Sequence, residues 1–264
     1  MKADQIFQRL WSDYTRQNPS VQAVYELFTS RGEVVVNDHI AFRTFDDPRI
    51  SIDVLAKVFL NAGYTYKGDY HFESKHLYAK HFEMDGQPRV FISQLITADF
   101  SPELQEEVKA MVDAIPTEML ESDELIYSGN IWGKPTFAVY ERLREESEYA
   151  AWLYVNGFCA NHFTVSVNHL STLSSLEQVN QLLKDNGFLL NDSGGEIKGT
   201  PAELLEQSSI RSEMIQIAFT DGLQEIPGCY YEFARRYPDA DGKLYSGFIA
   251  KSADKIFEST DKVR

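Results

Sequence analysis

The hydrophobic pattern of the first hundred residues predicts a helix followed by a mixed unit of strands and helix. Apolar positions in residues 4–30 recur at helical spacing, with a break near Pro19. Residues 34–45 are typical of a strand, and residues 50–62 return to helical spacing. Three further strands are predicted, at residues 64–72, 77–84 and 89–95. The order after the first helix is therefore β-α-β-β-β.

A similar order is predicted in the second half of the chain. Residues 158–168 alternate as a strand, and residues 171–186 have helical spacing that ends at Gly187. Short strands are predicted at 188–190 and 196–199, a small helical insertion at 201–207, and two longer strands at 214–220 and 229–237. The repeat is one of pattern, because the two halves share little sequence.

The pattern as a whole predicts one α+β domain over residues 1–264. It comprises a first βαβββ unit at residues 33–100, a helical bridge at 101–157 and a second βαβββ unit at 158–238. Within the bridge, Ser101 followed by proline begins one helix, and residues 139–155 form another. Two such units predict strongly curved sheets that form a half-barrel around a cleft. The tail from Ala250 onward is charged and is expected to fray.

Composition and charge narrow the classes of partner and the location expected for the protein. The chain has 264 residues, 43% of them hydrophobic, and a formal net charge of -15. So acidic a surface repels phosphate backbones and anionic lipids, which argues against nucleic acid or membrane as a partner. No apolar stretch suggests a membrane span or a signal peptide, so a cytoplasmic location is expected. The two cysteines, Cys159 and Cys229, are expected to be free thiols. No pattern indicates an oligomeric state.

Two of the six histidines are candidates for metal ligands. His39 and His162 each lie inside the first strand of a unit, among residues that should be buried. A single buried histidine is more often a hydrogen-bonded core residue, but two at matching positions of a repeat favour a shared site. The remaining histidines are interpreted as surface, loop or capping residues; they are His71, His76, His81 and His169.

Glu232 is the candidate for the third ligand. It lies in the last strand of the second unit among aromatic residues, where a carboxylate is costly to bury without a cation beside it. The alternative is an ion pair with Arg235 or Arg236, of which only Arg236 shares its face of the strand. Two imidazoles and one carboxylate leave coordination positions open, which suits Fe(II) that must bind a chelating substrate and dioxygen. Zinc, manganese or nickel would accept the same ligands.

Arg43 and Gln94 are candidates for substrate binding. Arg43 follows His39 by four residues, so on a regular strand both face the same side, about 13 Å apart. Its guanidinium suits the far carboxylate of a dicarboxylic acid whose 2-oxo end chelates the metal. The alternative is a surface arginine paired with Asp46 or Asp47. By the repeat, Gln94 occupies about the place of Glu232 and would hydrogen-bond a bound carboxylate or water.

Several short motifs together resemble one family. They are His39-Ile-Ala-Phe-Arg43-Thr-Phe45, Trp132-Gly-Lys-Pro135-Thr136, Ser147-Glu-Tyr149-Ala-Ala-Trp152, Asn161-His162-Phe-Thr164 and Tyr231-Glu232-Phe233. The set is similar to the 2-oxoadipate dioxygenase/decarboxylase family, also called 2-hydroxyglutarate synthase, whose fold is similar to the vicinal-oxygen-chelate superfamily. The resemblance covers about residues 34–237.

The resemblance implies a site and a reaction. It implies that His39, His162 and Glu232 hold Fe(II) and that Arg43 binds the distal carboxylate of the substrate. The reaction that it implies consumes dioxygen and 2-oxoadipate, releases carbon dioxide and yields 2-hydroxyglutarate. Two alternatives stay open on the same scaffold: a metal-dependent isomerase or lyase of glyoxalase type, in which the metal acts only as a Lewis acid, and a small-molecule binder without catalysis.

Overall fold

The computed structural model of the chain describes residues 2–249 and 255. Its helices are α1 (Ala3–Gln17), α2 (Pro19–Ser30), α3 (Ile52–Asn61), α4 (Pro102–Asp113), α5 (Thr117–Leu120), α6 (Phe137–Glu146), α7 (Glu148–Asn156) and α8 (Leu176–Asp185). Its strands are β1 (Asn37–Phe45), β2 (Thr65–Phe72), β3 (Leu77–Glu83), β4 (Arg89–Leu95), β5 (Ala160–Ser166), β6 (Lys198–Thr200), β7 (Leu205–Ser209), β8 (Met214–Phe219), β9 (Gly222–Pro227) and β10 (Tyr230–Arg236). The predicted α+β fold is confirmed.

The chain divides into two compact units that interleave along the sequence. Unit 1 comprises Met1–Ser12, Ala41–Asn161 and Met214–Ile226, and unit 2 comprises Asp13–Ile40, His162–Glu213 and Pro227–Arg264. Strand β1 therefore contributes its first half to unit 2 and its second half to unit 1. The expectation of a single domain over the whole chain stays a prediction.

Unit 1 contains the first predicted repeat from Ala41 onward. Its strands follow the order β2-β3-β4-β1, and β3 pairs antiparallel with both β2 and β4. Helix α3 lies between β1 and β2 in the chain, and its buried face includes Leu55 and Phe59. The predicted β-α-β-β-β order and most of its boundaries are therefore confirmed. The break near Pro19 is also confirmed, because α2 begins at that proline.

Unit 2 carries the second half of the sheet, with strand order β1-β5-β10-β7-β6. Strand β10 lies parallel to β5 and antiparallel to β7. Every residue of β5 is buried, as are six of the seven residues of β10, with Arg235 half-buried. Strands buried on both faces are typical of the interior of a sheet, and they leave polar residues there only where a partner is present.

The second repeat departs from the prediction at three places. The strand predicted at residues 188–190 is only an isolated bridge between Leu190 and Ile210. The predicted helical insertion at residues 201–207 is a short 3-10 turn at Pro201–Glu203 followed by strand β7. The predicted strand at 214–220 does form, but it pairs with β9 in a separate two-stranded sheet. The run Leu-Glu-Gln-Ser-Ser of β7 has helix-forming residues at its start, and tertiary pairing with β10 overrides that propensity.

The helical bridge is divided more finely than predicted. Ser101 does cap α4, since its side chain accepts a hydrogen bond from the Leu104 amide. The single helix predicted at residues 139–155 is two helices, α6 and α7. Ser147 ends the first and caps the second, with its side chain accepting from the Ala150 amide. Serine at an N-cap competes with helix continuation, which explains the break.

Three smaller expectations have different outcomes. Cys159 and Cys229 are free thiols, as predicted. Among the helices within residues 2–249, none combines the length and the apolar character that crossing a bilayer requires. The predicted fraying of the tail from Ala250 onward falls outside the described residues, apart from Lys255. The cytoplasmic location stays a prediction.

Candidate metal centre

Three side chains from three strands of unit 2 converge on one point. His39 lies on β1, His162 on β5 and Glu232 on β10, and one ligand atom from each lies within 4.8 Å of the others. All three residues are buried, with 2%, 4% and 0% of their surface exposed. Within the part of the chain that the structure describes, this is the one group of three or more such side chains with metal-site spacing.

The pairing of the strands explains the convergence. The parallel register of β10 with β5 sets Tyr230 beside His162 and Glu232 beside Thr164. The two carboxylate oxygens of Glu232 then point to different imidazoles. Oε1 lies 3.5 Å from His39 Nε2, and Oε2 lies 3.3 Å from His162 Nε2. The two imidazole rings stand edge to face, with 5.5 Å between their centroids.

The orientation of His39 is set by hydrogen bonds on both ring nitrogens. Its Nδ1 lies 2.9 Å from Asp38 Oδ1, and because an ionised carboxylate only accepts, Nδ1 carries the proton in this contact. That tautomer leaves the Nε2 lone pair directed at the site, where the Thr164 hydroxyl lies 3.1 Å away. Carboxylates behind histidine ligands fix the ring and its tautomer in many metal sites.

Asp38 is itself held by Arg236. The guanidinium donates from Nε to Asp38 Oδ2 at 2.7 Å and from Nη2 to Oδ1 at 2.9 Å. Burial alone would raise the pKa of Asp38, but the Arg236 charge and the His39 hydrogen bond outweigh it and hold that pKa well below its usual range. The carboxylate is therefore ionised at neutral pH. Arg236 is thus the partner of Asp38, and the alternative of a direct Arg236–Glu232 ion pair is wrong.

Glu232 has few hydrogen-bond donors for a buried carboxyl group. Gln207 of β7 donates from Nε2 to Oε1 at 2.6 Å, whereas Oε2 is buried and accepts no hydrogen bond among the described residues. Burial, aided by the charge of Asp38, raises the pKa of Glu232 to about 8, although the Gln207 hydrogen bond and the charges of Arg236 and Lys198 lower it. An orphaned buried carboxylate oxygen beside two imidazole nitrogens is what a divalent cation would satisfy. The side chains present therefore fit a metal.

Arg43 lies in unit 1 and is buried, with 3% of its surface exposed. The carbon of its guanidinium lies 4.9 Å from the ring centroids of both Tyr149 and Trp152. The alternative of a surface arginine paired with Asp46 or Asp47 is therefore wrong. Aromatic faces hold a guanidinium by cation–π attraction. Its role in substrate binding stays a prediction.

Gln94 takes part in a structural contact. Its side-chain oxygen accepts a hydrogen bond from the Ile52 amide at 3.2 Å, at the start of helix α3. That contact satisfies one of the free amides of the first helical turn. In unit 2 the neighbour of the ligand carboxylate is Gln207. The predicted role of Gln94 toward a substrate carboxylate or water stays a prediction.

One of the other histidines was misplaced by the sequence pattern. His81 was interpreted as a surface or loop residue, but it is 3% exposed on β3 of unit 1. Its Nδ1 lies 3.0 Å from the Tyr70 hydroxyl and its Nε2 lies 3.1 Å from Glu83 Oε1. Both ring nitrogens are thus occupied by fixed neighbours. His71 and His76 are exposed, as expected.

Sequence reasoning missed the side chains that support the ligands. Asp38 directly precedes His39 but was not identified as its partner, and Gln207 was predicted to lie in a helix. Phe248 was not considered, although its ring lies edge-on to His39 with 4.8 Å between centroids. A buried Asp-His pair beside a second His-containing strand is the signal that points to Asp38. Nothing in the pattern singles out Phe248.

The fold and the side chains together define a class: an α+β protein with a buried centre of two histidines and one carboxylate able to hold a divalent metal. The sequence profile of the family described as 2-oxoadipate dioxygenase/decarboxylase matches residues 6–243. The chain belongs to this family, as its motifs predicted.

The similarity to members of this family extends over nearly the whole chain. It is 35% identical to the 2-oxoadipate dioxygenase/decarboxylase of Oryza sativa subsp. japonica over 98% of this chain and 79% of that protein. The crystal structure of hydroxyglutarate synthase from Oryza sativa, in complex with 2-oxoadipate, matches with a TM-score of 0.89 at 34% identity, over 98% of this chain and 93% of that one.

Two further solved structures extend the comparison. A protein of Shewanella frigidimarina NCIMB 400, named as a hydrolase, matches with a TM-score of 0.89 at 48% identity, over 94% of this chain and 98% of that one. A glyoxalase superfamily protein of Ralstonia eutropha JMP134 matches with a TM-score of 0.75 at 19% identity, over 90% of this chain and 83% of that one. The latter likeness concerns the fold alone, and it confirms the predicted vicinal-oxygen-chelate type.

Proposed function

We propose that the chain is an Fe(II)-dependent dioxygenase that decarboxylates a small 2-oxo acid, with 2-oxoadipate as its substrate. The observation that carries the proposal is the convergence of His39, His162 and Glu232 within 4.8 Å in a buried site of a chain from this family. A set of two histidines and one carboxylate leaves open positions on a metal, which zinc sites of purely structural type do not. Membership of the family favours oxygen chemistry over isomerisation.

The proposed reaction balances without any further reductant. 2-Oxoadipate and one dioxygen give 2-hydroxyglutarate and one carbon dioxide. One oxygen atom enters the carboxyl group that replaces the keto carbon, and the other becomes the new hydroxyl group. The carboxyl group next to the keto carbon leaves as carbon dioxide, and this oxidation supplies two of the four electrons that reduce dioxygen. The C–H bond that becomes C–OH supplies the other two, and its hydrogen stays in the new hydroxyl group. Bound Fe(II) supplies the one-electron chemistry that lets dioxygen react with an organic acid.

The protein's own side chains perform three tasks in this proposal. His39, His162 and Glu232 hold the metal, and Asp38 keeps the His39 ring in the tautomer that presents Nε2. Gln207 keeps the Glu232 carboxylate in one orientation through its hydrogen bond to Oε1. Arg43 binds the far carboxylate of the substrate, and its two aromatic neighbours hold the guanidinium in place.

The decisive experiment measures oxygen uptake. Protein reconstituted anaerobically with Fe(II) is mixed with a panel of 2-oxo acids, and dioxygen consumption is followed with carbon dioxide release. We expect uptake with 2-oxoadipate at one carbon dioxide per dioxygen. A protein that binds metal but consumes no oxygen with any 2-oxo acid would contradict the proposal. Turnover under strict anaerobiosis with zinc or nickel would instead favour an isomerase or lyase.

Arg43 is tested by its selectivity for the second carboxylate. Arg43→Lys keeps the charge but loses the planar fork, so we expect KM for 2-oxoadipate to rise by about tenfold or more, as for the loss of one charge-assisted hydrogen bond. The metal content should be unchanged. The matched control substrate is 2-oxohexanoate, which lacks the second carboxylate and should show the same KM with both proteins. An equal rise in KM for both acids would exclude this role.

A further inference from the structure

The chain beyond β10 turns back along unit 2. Pro238 pairs with Leu244 in an antiparallel bridge, and the Tyr245 amide donates to the Tyr237 carbonyl at 3.0 Å. The turn between them is held by the Asp239 carboxylate, which accepts from the Lys243 amide at 3.0 Å. The returning segment, residues 245–248, is called the strap below.

Arg236 joins the strap to the metal centre. Besides its two hydrogen bonds to Asp38, the guanidinium donates from Nη1 to the carbonyls of Tyr245 at 2.9 Å and Gly247 at 2.7 Å. One buried cation thus holds both the carboxylate behind a ligand and the backbone of the strap. The guanidinium has a planar, fixed set of donors, so it binds the Asp38 carboxylate and the strap carbonyls at the same time. A lysine ammonium could not reproduce this arrangement.

The strap ends with an aromatic ring on a ligand. Phe248 is 6% exposed, and its ring stands at 87° to the His39 ring with 4.8 Å between centroids. The Arg236 guanidinium lies 5.2 Å from the same ring. The strap itself is closely packed, because a Cβ on Gly247 would lie 2.6 Å from the Tyr245 hydroxyl. Phe248 therefore covers His39 on a built, internally packed segment.

We propose that the strap closes one wall of the metal centre, with Phe248 and Arg236 as positioning residues. Phe248 excludes water from the side of His39 and limits the movement of its ring, and Arg236 couples that closure to the Asp38–His39 hydrogen bond. An apolar wall around a metal site controls solvent access and local dielectric, which strengthens the fixed interactions inside. The link to catalysis rests on the proposed function, but the closure itself does not.

The test measures access to His39 in metal-free protein. Diethyl pyrocarbonate modifies accessible imidazoles, and peptide mapping gives a rate for each histidine. We expect Phe248→Ala to raise the rate at His39 by about tenfold or more, because burying one phenylalanine favours the closed state by an order of magnitude or more. Phe248→Leu should restore most of the protection. Exposed His71 calibrates the reagent, and buried His81 in unit 1 reports general loosening.

Two further variants separate the strap from its surroundings. Arg236→Lys loses the hydrogen bonds to the strap carbonyls but keeps Phe248, so His39 should also react faster in this variant. It tests the proposal even if Phe248→Ala fails to fold. Leu244→Ala is the matched control, since Leu244 precedes the strap and is 47% exposed; its rates should equal those of the wild type. Wild-type reactivity at His39 in both strap variants would overturn the proposal, as would an equal rise at His81.

A metal-based measurement adds a readout that a purely structural role would not move. Protein loaded with Co(II) is mixed with a chelator, and the visible spectrum follows metal loss. We expect Phe248→Ala and Arg236→Lys to lose metal about 10- to 100-fold faster, the range for disturbed outer-shell partners. Unchanged loss rates with intact folding would contradict the coupling. Neither measurement involves turnover, so a wild type without oxygen uptake would refute the proposed function and leave the strap standing.

Discussion

Two buried glutamates of unit 2 have opposite environments. Glu33 is 3% exposed and Glu232 is 0% exposed. Glu33 accepts hydrogen bonds from the amides and hydroxyls of both Ser171 and Thr172. Burial would raise its pKa, but these donors lower it to about 2, whereas burial raises the pKa of Glu232 to about 8. The difference lies in the number of donors.

The comparison teaches how to tell a structural carboxylate from a ligand. Glu33 is saturated by donors that belong to the fold, so it needs no further cation. Glu232 has one donor and a buried oxygen without one, so its ionised form is favourable only beside a cation. The histidines also differ. His81 is the one histidine beside Glu83, whereas His39 and His162 share a single carboxylate, with Nε2 3.5 Å and 3.3 Å from the two oxygens of Glu232.

The largest expected effect is the loss of metal from Glu232→Gln. The wild type should gain about 4.1 kcal/mol of stability when the metal concentration is about a thousand times the dissociation constant. The amide cannot supply the ligand charge, so the variant should gain almost nothing. Thermal melting with and without Fe(II), Zn(II) or Co(II) checks this, with Glu33→Gln as the matched control that keeps the full gain. Equal gains in both variants would remove the distinction between the two glutamates.

The metal-free proteins should show a second difference, on the order of 3 kcal/mol. The folded-state pKa of Glu232, about 8, lies above the unfolded value of 4.5, so the unfolded chain releases its proton first. Stability from the protonated carboxyl is complete below about pH 4.5 and is lost as the pH rises toward about 8. Denaturant unfolding should therefore show Glu232→Gln becoming more stable than the wild type across that range. A constant difference between the two proteins would contradict the burial argument.

Glu33→Gln should show the opposite slope and a smaller effect, about 2 kcal/mol of lost stability at pH 7, as expected for hydrogen bonds to a charged group. Its folded-state pKa of about 2 lies below the unfolded value of 4.5. The stabilisation is present above about pH 4.5 and declines as the pH falls toward 2. Unfolding measured from pH 7 down to the lowest pH at which the protein stays folded tests this. A gap between variant and wild type that does not narrow below pH 4.5 would refute it.

The smallest expected effect belongs to His81→Gln. The variant loses part of a buried hydrogen-bonded pair in unit 1, which costs about 1 kcal/mol. Metal binding should be unchanged, because the contacts of His81 lie with Tyr70 and Glu83. Melting and metal titration of this variant beside His162→Gln sharpen the comparison. The latter should lose the metal, and a loss of metal in His81→Gln would show that the two clusters are not independent.

Much of the fold of unit 1 could be predicted from the sequence, because the local hydrophobic pattern and the tertiary packing agree there. Strand alternation and a Gly-ended helix place β1 to β4 and α3 within a few residues. The secondary-structure predictions fail where tertiary contacts determine which element forms. Strand β7 exists because β10 offers it a hydrogen-bonding edge, and local propensity carries no trace of that edge. Strand β8 was predicted, but its pairing with β9 in a separate sheet was missed for the same reason.

The strand pattern predicted the three ligands of the candidate site but not the side chains that support them. His39, His162 and Glu232 stand out because polar residues are rare in strands buried on both faces. Asp38 and Gln207 depend on side-chain directions that alternation does not give. Phe248 depends on a chain reversal after β10 that brings distant residues onto His39. Tertiary contacts of that kind cannot be predicted from the local sequence pattern.

The strand that carries Glu232 is also the last of the sheet to be synthesised. A ribosome must therefore release nearly the entire described chain before the third ligand reaches the first two. A metal held by these three ligands cannot nucleate folding early in synthesis, because a chain that ends before β10 lacks the carboxylate of Glu232. Binding at the complete centre therefore follows assembly of the sheet, and a chain truncated before β10 does not carry the full ligand set.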